Sequence, residues 1–195
     1  MKKTLLSDVL VRSIACHKLK IANADLTFSF NRYGKPFFDN LENTFKFNIS
    51  HSGDWIVCAI DHLPIGIDIE KMRRINYISL AKSCFSKIEY ETIIAQPTTK
   101  QSDYFFELWT LKESYIKALG KGLILPLDSF TVTKNATGWF EINSNLIDTI
   151  NPFLKQLYLD SEYKLAVCSF HPILCDAVII KDYVSLSKEL LLVQN

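Results

Sequence analysis

Three short segments hold side chains whose types and spacing suit work on phosphate. In Gly66-Ile-Asp-Ile-Glu70, apolar and acidic residues alternate. A strand sends successive side chains to opposite faces. Ile67 and Ile69 then enter a core, while Asp68 and Glu70 project together from the other side. Two carboxylates that close repel each other unless a cation lies between them. Oxygen donors with no nearby histidine or cysteine favour Mg²⁺ over zinc, and Mn²⁺ accepts the same ligands. An ordinary half-exposed strand would carry the same letters, so this segment alone does not decide. Leu108–Gly122 reads as the end of a helix. Trp109, Glu113 and Lys117 stand at i, i+4 and i+8 and share a face, with Leu108, Leu111, Tyr115 and Leu119 on the other side. A carboxylate beside a lysine suits a metal–phosphate site, and a solvated Glu–Lys pair is the plainer reading. In Phe47-Asn-Ile-Ser-His-Ser-Gly53, His51 lies between Ser50 and Ser52. These groups could donate hydrogen bonds to a phosphate or close a polar turn. His17, His62 and His171 have no comparable company and read as surface or turn residues.

The elements that must position these groups follow from periodicity and punctuation. Residues 5–19 carry Leu6, Val9, Leu10 and Ile14 at helical spacing. Strands are expected at Leu26–Phe30, Phe45–Ile49, Trp55–Ile60 and Gly66–Glu70. Asn31–Pro36 forms a turn, and Ser50–Asp54 a loop. Residues 77–95 are helical, with Ser86 an N-cap. After a loop at Pro97–Asp103, a long helix runs from Tyr104 to Leu119 and stops at Gly120 and Gly122. The remainder is strand: Phe130–Lys134, Trp139–Ile142, Tyr163–Phe170 and Ala177–Tyr183. Trp55-Ile-Val-Cys-Ala-Ile60 echoes Leu165-Ala-Val-Cys-Ser-Phe170. Duplication of an α+β unit would explain the echo, and so would chance.

With 195 residues, 48% hydrophobic and 22% charged, the chain can bury a normal core as one large domain or two small ones. A formal net charge of +1 calls for neither nucleic acid nor an anionic membrane as partner. The cysteines are Cys16, Cys58, Cys84, Cys168 and Cys175, an odd number with no Cys-x-x-Cys pair. A reducing compartment fits best, and a cytoplasmic protein is expected. No signal-like or membrane-length apolar run is present, since Ile173–Ile180 is short and holds Asp176.

Taken in order, the segments resemble one family, the 4′-phosphopantetheinyl transferases. Gly66–Glu70 looks like its first signature, and Trp109-Thr-Leu-Lys-Glu-Ser-Tyr-Ile-Lys117 like its second. Gly34-Lys-Pro36 and Asn48-Ile-Ser-His-Ser52 match two loops upstream. The match continues through Gly122–Phe130 and Tyr163–Cys168, and is nearest to the surfactin-type branch. The resemblance implies an α+β pseudo-dimer of two similar halves, 1–96 and 97–195, forming one catalytic unit with the active site between them. It implies transfer of phosphopantetheine from coenzyme A to a serine of a peptidyl, acyl or aryl carrier protein, by a monomer. Asp68, Glu70 and Glu113 would hold Mg²⁺ or Mn²⁺, and Glu113 would take the serine proton. Lys112 and Lys117 would neutralise phosphate charge. Lys35, Pro36, Ser50, His51 and Ser52 would grip the nucleotide, and Gly120–Asp128 would receive the carrier. Surfactin-type members carry a few tens of residues before the helix that begins here near Leu5. The resemblance thus implies a shortened start, with Lys3 and Thr4 in place of the last amino-terminal coenzyme A contacts. A truncated, non-catalytic carrier-binding relative is the alternative reading; the intact acidic set argues against it and the shortened start argues for it.

Overall fold

The computed structural model describes residues 2–122, 125–144, 152–172 and 177–192. Helix α1 (Lys2–Leu19) opens the chain. Its inner face, Val11, Ala15 and Cys16, packs on Phe38, Phe45 and Phe47. The hairpin β1 (Phe28–Phe30) and β2 (Pro36–Phe38) supplies part of that core. Asn31 organises its turn, its side-chain oxygen accepting from the backbone N–H groups of Tyr33 and Lys35, both at 2.9 Å.

A second hairpin follows, β3 (Lys46–Ser52) and β4 (Trp55–Asp61). Its turn is only Gly53-Asp54. Gly53, at φ 51°, occupies the first turn position, where a tight hairpin favours glycine. The expected loop Ser50–Asp54 is therefore mostly strand. Strand β5 (Ile65–Lys71) comes next. Helices α2 (Tyr77–Cys84) and α3 (Lys87–Ala95) divide the expected helical stretch at Ser86, which caps α3 through a reciprocal bond with Glu89.

Helix α4 (Thr98–Leu119) starts six residues before the expected Tyr104, Pro97 serving as its N-cap. It ends at Gly120 in the left-handed conformation. The remaining strands are β6 (Thr131–Lys134), β7 (Phe140–Asn143), β8 (Phe153–Leu157) and β9 (Tyr163–Ser169). Residues 177–182 form no strand, and helix α5 (Tyr183–Leu192) follows. Of the expected docking segment Gly120–Asp128, residues 123 and 124 lie outside the described residues, as does Cys175.

The largest sheet is antiparallel in the order β5-β9-β8-β7-β6. Strand β5, early in the chain, thus forms the edge of a sheet built otherwise from late strands. Its odd residues Ile65, Ile67 and Ile69 share an apolar layer with Val57 and Ala59 of β4 and Leu165 and Val167 of β9. The two Val-Cys strands play matched parts in this layer. Val57 and Val167 both enter it. Cys58 packs instead on the α1 core, and Cys168 on the α4 core. Each strand joins the shared layer to a helical core of its own.

Candidate active site

The even residues of β5 face α4. At Gly66 the helix comes so close that a Cβ would run into the carbonyl oxygen of Ser114 and the backbone nitrogen of Ala118. That approach brings the next even residue, Asp68, under the last turns of the helix. Lys117 donates to Asp68 Oδ1 at 2.6 Å and to Ser50 Oγ at 3.0 Å. Ser50 in turn donates to Asp68 Oδ1 at 3.0 Å. Asp68 is 4% exposed, and its Oδ2 is buried with no hydrogen-bond partner. Glu70 accepts from Ser52 at 3.0 Å.

Electrostatics gathers the third carboxylate. Burial first, then the charge of Asp68, raises the Glu113 carboxyl above the ordinary range; Glu70 adds to the rise and Lys117 opposes it. Burial likewise raises Asp68, with Glu70 adding a little, against the pull of Lys117 and Ser50. The Glu113 carboxylate makes no hydrogen bond to any described residue. Among the described residues, no three His, Cys, Asp or Glu side chains converge tightly enough to hold a metal ion. In this arrangement the Lys117 ammonium supplies the cationic charge beside Asp68. The orphaned Oδ2, the like-charged neighbours and the all-oxygen donor set nonetheless fit a hard divalent cation.

The structure assigns other partners to several of the expected nucleotide contacts. Lys112 is 0% exposed and turns away from Asp68. Its ammonium bonds both oxygens of Glu89, at 2.6 and 2.8 Å, and the carbonyl of Phe130 at 2.6 Å. Glu89 also accepts from Ser86 and from the backbone of Val132. Lys112 is therefore the centre of a saturated internal network joining α3, α4 and the start of β6, and it does not reach phosphate. Trp109 packs at a tilt against Phe85 and Phe105 beside that network rather than joining the carboxylates.

Lys35 turns inward as well, donating to the carbonyls of Lys117 at 2.6 Å and Ile65 at 3.0 Å. It thus caps the carboxyl end of α4, where a cation is favourable. Pro36 begins β2 opposite Phe30 and belongs to that hairpin. Alternation in β3 separates the Ser-His-Ser triplet: Ser50 and Ser52 reach the carboxylates, whereas exposed His51 projects from the opposite face. Lys3 donates to the Gly53 carbonyl at 2.7 Å, placing the start of α1 beside the β3–β4 turn, and Thr4 is exposed next to it.

Sequence reasoning missed Glu89, whose place three residues after the N-cap Ser86 was visible but whose ion pair with Lys112 spans 23 residues. It also missed Asn31, whose amide donates to the Gly120 carbonyl at 2.9 Å and ties the β1–β2 turn to α4.

A carboxylate pair on one strand, with a third acid and a lysine on a crossing helix, is an arrangement suited to chemistry on phosphate. Comparison with known proteins specifies the class. Residues 64–168 match the sequence profile of the 4′-phosphopantetheinyl transferase superfamily, and residues 1–63 that of the 4′-phosphopantetheinyl transferase amino-terminal region. The chain belongs to this superfamily, in its surfactin-type branch, and transfers 4′-phosphopantetheine from coenzyme A to carrier proteins. It is 47% identical over 171 residues to the 4′-phosphopantetheinyl transferase Sfp of Bacillus subtilis, covering 87% of this chain and 75% of that one. It is 40% identical to the 4′-phosphopantetheinyl transferase gsp of Aneurinibacillus migulanus, covering 86% of this chain and 68% of the relative. A solved holo-(acyl-carrier-protein) synthase from Bacillus anthracis aligns with a TM-score of 0.45 and 18% identity, over 54% of this chain and 93% of that one.

Proposed function

We propose that the cleft between β5 and α4 performs the transfer with Asp68, Glu70 and Glu113 around a divalent cation, Mg²⁺ or Mn²⁺. The observation that carries this reading is the buried, unpartnered Oδ2 of Asp68, set among like charges that no described side chain fully neutralises. The ion would neutralise charge on the coenzyme A pyrophosphate. Lys117 has three donor protons and uses two, on Asp68 and Ser50, which leaves one for a phosphate oxygen. Glu113, raised by burial and by its acidic neighbours, is suited to accept the proton of the attacking carrier serine. The serine oxygen forms a bond to the β-phosphorus as the bond to adenosine 3′,5′-bisphosphate breaks. We take exposed His51, Lys3 and Thr4, near the β3–β4 turn, as the groups that meet the nucleotide.

Both walls of the cleft come from one chain, which favours a monomer. Cys16, Cys58, Cys84 and Cys168 are all unpaired, which favours the cytoplasm. No described helix is long and apolar enough to cross a membrane. The carriers we infer are peptidyl, acyl or aryl carrier domains of non-ribosomal peptide, polyketide or fatty acid synthesis.

Intact-mass spectrometry of an apo carrier incubated with the protein, coenzyme A and Mg²⁺ tests the reading. The carrier gains one phosphopantetheine. EDTA abolishes the gain, and Mg²⁺ or Mn²⁺ restores it. Glu113→Gln slows it on the order of a hundredfold or more. Transfer that persists undiminished in EDTA overturns the cation. A folded protein that binds carrier without modifying it supports the non-catalytic alternative.

A further inference from the structure

Strands β3 and β5 run side by side and parallel, yet belong to separate sheets. Side chains replace the missing backbone ladder. The N–H of Ile67 donates to Asn48 Oδ1 at 2.8 Å, that of Ile69 to Ser50 Oγ at 3.4 Å, and that of Lys71 to Ser52 Oγ at 3.0 Å. The spacing is two residues on each strand, so alternate β3 side chains meet alternate β5 amides. Each serine then makes a second bond that Asn48 does not. Ser50 donates to Asp68 and Ser52 to Glu70, both at 3.0 Å.

A hydroxyl has one proton and two lone pairs. On Ser50 the lone pairs receive Ile69 N–H and the Lys117 ammonium, so its proton is committed to Asp68 Oδ1. With Oδ1 engaged by Ser50 and Lys117, the carboxylate is pinned in the rotamer that leaves Oδ2 unpartnered. Ser52 repeats the unit one step along: it accepts from Lys71 N–H and gives its proton to Glu70 Oε2.

We infer that Ser50 and Ser52 are positioning residues that aim Asp68 and Glu70 at the cation, while Asn48, at the step where β5 has Gly66, only closes the strand edge. This rests on the proposed cation site. Hydrogen-bond partners that orient metal ligands typically set affinity by ten- to a hundredfold.

The test is titration of Mn²⁺ into the full protein with coenzyme A at fixed concentration. Free Mn²⁺ is read by its electron paramagnetic resonance signal, and a protein-free titration is subtracted. Ser50→Ala and Ser52→Ala weaken Mn²⁺ binding about ten- to a hundredfold. Ser52→Thr, which keeps the hydroxyl at a half-exposed position, restores it. Asn48→Ala lowers the thermal midpoint without changing Mn²⁺ affinity. Wild-type protein that binds no Mn²⁺ overturns the cation site itself. Wild-type binding matched by both alanine variants overturns the positioning role alone. Should Ser50→Ala fail to fold, Ser52→Ala against Ser52→Thr still decides.

Discussion

Adding one methyl group at Gly66 should cost the enzyme both rate and stability. The Cβ of Gly66→Ala points at backbone, the Ser114 carbonyl and the Ala118 nitrogen, so no side chain can swing aside. Carbon needs roughly 3.5 Å from its neighbours, and restoring that separation moves helix and strand apart by more than about 1 Å. Strand β5 resists, held to β9 by seven register pairs from Ile65↔Ser169 to Lys71↔Tyr163. Helix α4 resists too, through Phe105, Leu108, Leu111, Tyr115 and Ile116 in its own core. Overpacking of this kind costs about 1–3 kcal/mol. The same displacement stretches the 2.6 Å contact of Lys117 with Asp68 and withdraws Glu113 from the carboxylate pair. A misplacement near 1 Å lowers rates on the order of a hundredfold.

The assay is transfer of a fluorescent coenzyme A derivative to an apo carrier, with urea unfolding on the same samples. Gly138→Ala is the comparison: at φ 88° its cost is backbone strain in the β6–β7 turn, with no atom nearer than 3.8 Å. It should lose about 1 kcal/mol and keep its turnover. A Gly66→Ala enzyme with wild-type kcat and an unchanged urea midpoint would refute the argument that helix–strand contact sets the catalytic geometry.

Two further outcomes follow from buried lysines. Lys112→Met strands the Glu89 carboxylate, 2% exposed, without its cation, and should lower unfolding free energy by about 3–5 kcal/mol in urea titrations. A loss under about 1 kcal/mol would mean the pair is not formed. Burial first, then the charge of Lys46, pulls Lys35 from 10.5 to about 8. Between those values the unfolded chain holds more protons on this group than the folded one, so stability rises with pH across the window. The full shift corresponds to on the order of 3 kcal/mol, an upper bound because the two carbonyls on Lys35 favour its charged form. Urea midpoints followed from about pH 7.5 to 9.5 should show that contribution in wild type and lose it in Lys35→Met; identical slopes would exclude it.

Periodicity made the carboxylate pair legible, because the two-residue repeat of Ile67, Asp68, Ile69 and Glu70 survives in β5 unchanged. Ser86 was legible as a cap because its partner lies three residues away. What failed depends on distant partners. Nothing near Lys112 marks it as internal, since Glu89 and Phe130 arrive from other elements. Trp109 sits at the spacing of Glu113 and Lys117, yet the helix rolls it onto Phe85. Strand β8 escaped notice because only Leu154 among its five residues is buried, leaving no alternation to read. Ala177–Tyr183 has the apolar content of a strand, but residues 177–182 find no strand partner. Polar letters at Ser50, His51 and Ser52 suggested a loop.

Those polar letters have a cause that ordinary sheet pairing could not serve. Had β3 offered its backbone to β5, carbonyl oxygens would have met the amides of Ile67, Ile69 and Lys71. Carbonyls only accept, and a row of them beside Asp68 and Glu70 would raise the repulsion already present there. A hydroxyl does both tasks at once, accepting from the strand and donating to the acid. The strand edge is thereby closed without setting more negative dipole against the carboxylates. Serine is needed at alternate positions because the acids alternate, and the residue between them is left to the opposite face, where His51 stands exposed.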